Sequence, residues 1–79
     1  MCTVTELCDK LMAAKADEVA KEFTLNSHKN ELKALKANDG SEMEIRMLEH
    51  IVNADIEAYK TAKANAMSLQ SKYDIMANR

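Results

Sequence analysis

Residues 37–41 read Ala37-Asn38-Asp39-Gly40-Ser41, and this stretch divides the chain. It holds the only glycine, beside Asn and Asp, residues that favour turns and left-handed backbone. Gly40 stands where a helix C-cap residue would, and Ser41 opens the next element. Glu44 follows Ser41 by three positions, the spacing of a capping box in which the hydroxyl accepts a free backbone N–H. Thr3 and Glu6 repeat that spacing near the start of the chain. The stretch therefore predicts one helix or helix pair before it and another helix after it.

Composition agrees with helices on both sides. The 79 residues include no Pro, no Trp and a single Gly, while 47% are hydrophobic and only 4% aromatic. Turn-rich β architectures need Gly and Pro for tight reversals, so they are excluded. Nearly half the chain is apolar and the net charge is only −2, which also argues against disorder.

After the turn, an unbroken pattern predicts a helix over 42–76. At 1.5 Å per residue such a rod is about 50 Å long, more than the diameter of a compact domain of this size. One stripe on it reads Leu48, Ile51, Ala58, Ala62, Ala66, Leu69, Tyr73 and Met76. A second reads Ile45, Val52, Ile56, Tyr59 and Met67. Together they form an apolar arc wider than one neighbour requires. Asp55 falls inside the arc and, if buried, must pair with a Lys or a hydroxyl. The charge is polarised along this helix: Glu42, Glu44, Glu49, Asp55 and Glu57 against Arg46, then Lys60, Lys63, Lys72 and Arg79 against Asp74. That order suits the helix dipole, and it also suits antiparallel pairing of two such helices.

Before the turn, Val4, Cys8, Leu11, Met12, Ala16, Val19 and Phe23 recur every three or four residues as one stripe. Thr24-Leu25-Asn26-Ser27-His28 then gathers poor helix formers, and Leu25, Leu32 and Leu35 lie about half a turn away from the earlier stripe. The pattern favours a helix over 3–23, a break, and a second helix over 27–37; the alternative is one long helix that turns its apolar face from one neighbour to another. The fold expected is all-α: a helical hairpin or three-helix arrangement in one domain over 1–79, built on a long C-terminal helix and oligomeric.

Chemistry is sparse. His28 and His50 lie in different elements without the i, i+4 or Glu-x-x-His spacing of a helical metal site. Cys2 and Cys8 are six apart and do not share a helix face, and nothing fixes a base beside Cys8. A single Gly cannot build a phosphate loop. The reading expects no catalytic, cofactor-binding or metal-binding residues and hence no enzyme. With eleven basic and thirteen acidic residues there is no basic patch, which argues against nucleic acid as partner. No apolar run is long enough to span a membrane. The first residues carry neither a basic n-region nor an apolar h-region. A cytoplasmic location with reduced thiols is expected.

What remains is protein recognition. The arc on the C-terminal helix exceeds what the first 40 residues can cover, so it is expected to bury against another chain. The expected contact residues are Met47, Ile51, Ile56, Tyr59, Leu69 and Tyr73, with the two tyrosines as anchors. The methionines are read first as core filler in a helical bundle and second as an adaptable binding surface. The function expected is a non-catalytic interaction module (adaptor, co-chaperone or inhibitor) that binds a protein partner and forms a homodimer or higher oligomer. In size and helical format the chain resembles small helical co-chaperones of bacterial secretion systems and small phage-encoded inhibitors of host machinery, without a motif specific to either. A small helical nucleic-acid-associated protein is the reading from a different class.

Overall fold

The computed structural model describes residues 4–78. Two helices, α1 (Val4–Ala37) and α2 (Glu42–Ala77), fold into an antiparallel hairpin. The molecule measures 58 × 16 × 14 Å. Its radius of gyration is 17.5 Å, against about 12 Å for a compact domain of this length. Elongation follows from the helices: 36 residues at 1.5 Å each make α2 about 54 Å long.

The turn is built as a helix C-terminal cap running directly into an N-terminal cap. The Gly40 N–H donates to the Leu35 carbonyl at 2.8 Å, and the Asn38 N–H to the Ala34 carbonyl at 3.0 Å. The residue in left-handed backbone is Asp39, with φ 54°, not Gly40. Glycine is needed at 40 for a different reason. A Cβ there would overlap the Leu35 side chain and lie 2.9 Å from the Leu35 carbonyl oxygen. Gly40 thus sits where a Schellman motif places its residue packed against the last turn. Ser41 caps α2, its Oγ accepting the Glu44 N–H at 3.1 Å. Thr3, the matching cap expected for α1, lies outside the described residues.

The expected break at 24–26 is absent, and α1 runs through it as one helix. The three-helix alternative therefore gives way to a hairpin. Thr, Asn, Ser and His each cost about 0.5 kcal/mol relative to Ala in a helix, some 2 kcal/mol together. Leu25, in the middle of them, is 6% exposed, and its burial against α2 offsets about that amount. The Thr24 hydroxyl donates to the Ala20 carbonyl at 3.1 Å, so it stays within the helix.

A seam explains the continuity. On α1 it reads Leu7, Leu11, Ala14, Glu18, Lys21, Leu25, His28, Leu32 and Leu35, in alternating steps of four and three. On α2 it reads Ile45, Leu48, Val52, Asp55, Tyr59, Ala62, Ala66, Leu69, Tyr73 and Met76, each buried or half-buried. A 3.5-residue repeat keeps both seams facing each other along the whole rod, as in a coiled coil. The apparent change of phase after residue 23 is an artefact of polar residues in this seam. Leu25, Leu32 and Leu35 continue Leu7, Leu11 and Ala14 through Glu18 and Lys21. The α2 seam draws on both predicted stripes, so much of the wide arc is covered from within the chain.

The same holds for charge. Antiparallel pairing sets the acidic first half of α2 beside the basic end of α1, and Lys36 reaches Glu49 at 3.4 Å. With both side chains about half exposed, the pair contributes little to stability.

Candidate interaction surfaces

The core is thin. Leu7, Leu11, Ala14, Leu25, Val52, Ala62 and Ala66 are buried, and no described side chain is fully enclosed. Two helices cannot surround a residue on all sides, so much apolar surface stays in water. The chain exposes 5946 Å², against roughly 4,800 Å² expected for a folded monomer of 8.9 kDa. The excess, about 1,100 Å², exceeds the ~800 Å² each partner loses in a standard interface.

The exposed apolar residues are not scattered. On α2, Met43, Met47 and Ile51 rise on successive turns, 73%, 60% and 43% exposed. Ala54 and Ala58 continue that strip toward the middle of the rod, with Ala58 half-buried. At the open end, Leu7, Leu69, Ile75 and Met76 line an apolar hollow rimmed by Lys10 and Lys72. A shallower groove runs on from it past Ala13, Ala14, Asp17, Asn65 and Ala58.

On α1, Met12, Val19 and Phe23 are exposed at 65%, 64% and 74%, with Ala16 between them. These four belong to the stripe that periodicity alone assigns to the packed face. At about 100° per residue they point away from α2, well round the helix from the seam. Of that predicted stripe only Leu11 is buried, and Cys8, a free thiol, is half-buried.

The six residues expected at a contact fall into two groups. Met47 and Ile51 are exposed on the outer strip of α2. Tyr59, Leu69 and Tyr73 are half-buried along the seam, and Ile56, which lies beside it, is half-buried as well. Met43, which the sequence reading does not include, is more exposed than either Met47 or Ile51. Its signal was available, since it precedes Met47 by four residues on the same face.

One polar pair interrupts the seam. His28 Nδ1 lies 2.5 Å from Asp55 Oδ2, the side chains 30% and 18% exposed. With Asp55 ionised, His28 carries the proton on Nδ1 and donates. The partner of Asp55 is therefore the histidine, where sequence reasoning expects a lysine or a hydroxyl. No buried side-chain polar atom is left without a partner among the described residues. Among the same residues no three of His, Cys, Asp and Glu converge into a group that could hold a metal ion. His50 lines a small polar recess with Arg46, Glu49 and Asn53. Among the described residues no helix is long and apolar enough to cross a membrane.

Comparison of the chain with protein-family models, with curated proteins and with solved structures finds no match.

Proposed function

We propose that the chain is a small non-catalytic α-helical interaction module that binds another protein through the outer strip of α2. The observation that carries this is Met43, Met47 and Ile51 standing exposed on successive turns at the turn end of the hairpin. A partner helix or groove laid over them would bury flexible, polarisable side chains that adapt to its shape. Ala54 and Ala58 extend the strip with small residues that permit close approach. Tyr59 and Tyr73, the anchors expected from the sequence, are half-buried in the seam and not on this strip. Adaptor, co-chaperone and inhibitor are the roles such a module fills.

The test is affinity purification of the tagged full chain from its native host, followed by mass spectrometry, for wild type and Met47→Glu. One protein recovered in stoichiometric amount with wild type and lost with the variant is the expected result. Equal recovery with both, or no partner with either, counts against the reading. A second reading, a phage-type inhibitor of host machinery that works as a homo-oligomer, is favoured by the separate exposed stripe on α1. Light scattering distinguishes it by a discrete oligomer of the pure chain.

A further inference from the structure

We infer that the back of α1 is a self-complementary docking surface for a second copy of this chain, with the two α1 helices antiparallel. The inference rests on the reading of the chain as an interaction module, but concerns a different helix from the one proposed to hold a foreign partner.

Three observations carry it. First, Met12, Ala16, Val19 and Phe23 are spaced four, three and four, so the stripe reads the same in either direction. A two-fold interface needs that property, because each residue i that meets j must also be met by it. Antiparallel docking forms four apolar layers: Met12 on Phe23 of the second copy, Ala16 on Val19, and the two symmetry-related layers. Bulky faces bulky at the ends, and the smaller residues meet in the middle.

Second, the charges beside the stripe are complementary in this register. Taking the four apolar residues as the a and d positions of a heptad puts Lys15 and Glu22 both at g. In an antiparallel pair g faces g, and side chains lean toward their own N-termini. Lys15 of each copy then converges on Glu22 of the other. Among the described residues, neither forms an ion pair within the hairpin. The opposite flank, at the e positions, carries Ala13 and Ala20, which leave room for close approach. Beyond the apolar layers Asp9 falls opposite Asn26, a carboxylate facing an amide donor.

Third, the area fits. The hairpin exposes about 1,100 Å² more than a compact monomer of its mass, room for one interface of standard size. The exposed Phe23, Met12 and Val19 are a large part of what such an interface would cover.

Sedimentation equilibrium of the purified full chain over a wide concentration range tests this, with circular dichroism as the check that each variant folds. A wild-type dimer is expected. Val19→Glu should raise its dissociation constant more than about tenfold. Lys15→Glu sets like charges opposite at both ends and should weaken the dimer about fivefold. The double variant Lys15→Glu/Glu22→Lys restores the pairs with composition unchanged, and should return affinity to near wild type. A monomeric wild type, a dimer indifferent to Val19→Glu, or a double variant no tighter than the single overturns the proposal. If Met47→Glu dissolves the dimer and Val19→Glu does not, the copies meet through α2. This inference then falls, while the interaction-module reading stands or falls on the capture experiment.

Discussion

The two stripes of α1 differ in a way that inverts the usual rule. The back stripe of Met12, Ala16, Val19 and Phe23 is wholly apolar, and the hairpin leaves it exposed. The seam contains Glu18, Lys21 and His28 and is the face that packs. What separates them is length. The seam repeats every 3.5 residues from Leu7 to Leu35, so it meets α2 along the entire rod. The back stripe gives way to Asn26 and Asn30 after Phe23 and could cover only half of the same partner. In a two-helix hairpin a long imperfect seam buries more than a short perfect one, and the helix rotates to satisfy the longer.

The contrast is broken most directly by truncating one residue from each stripe. Leu25→Ala should destabilise the hairpin by about 2–4 kcal/mol, read as a lowered Tm in thermal melts followed by circular dichroism. Phe23→Ala, two residues away, should change it by about 0.5 kcal/mol or less at concentrations where the chain is monomeric. Equal losses would mean that α1 is rotated relative to the seam described.

The polar pair within the seam gives the next largest effect. Asp55→Ala should cost about 1–2 kcal/mol, since it leaves a half-buried His28 without its acceptor. The double variant His28→Leu/Asp55→Leu should recover most of that loss, because an apolar layer replaces both partners. A double variant as unstable as Asp55→Ala would show that the pair holds the register in a way packing cannot replace.

The smallest effect sharpens the point about continuity. Thr24→Ala removes a poor helix former from an exposed position of an unbroken helix and should stabilise the chain by about 0.5 kcal/mol. A destabilisation would show that residues 24–26 do form a joint, as the sequence pattern suggests.

Much of the fold is legible because its signals are local. The Asn38–Ser41 turn, the Ser41 cap and the uninterrupted second helix depend on residues within a few positions of one another. The first helix misleads for the opposite reason. Periodicity ranks faces by how greasy they are, and on residues 4–23 the greasiest face is the one left outside. Glu18 and Lys21 hide the link between Ala14 and Leu25, since neither charged residue looks like part of a packed seam. The proposed contact surface is partly legible on the same grounds. Met47 and Ile51 are outside because α1 covers only one side of α2, whereas Tyr59, Leu69 and Tyr73 are taken up by α1. The need of Asp55 for a partner shows in the sequence, but the identity of that partner depends on which residue of α1 stands opposite.

Sequence alone determined that the chain is helical, where it reverses and that its apolar surface exceeds what a rod can hide. These follow from propensity, capping and composition, which act over a few residues. Tertiary structure decided that the first helix is continuous, which of its two stripes packs, and that His28 meets Asp55. Those depend on the register of α1 against α2, set by the sum of small burials along the full length of the hairpin, and no local segment contains that sum.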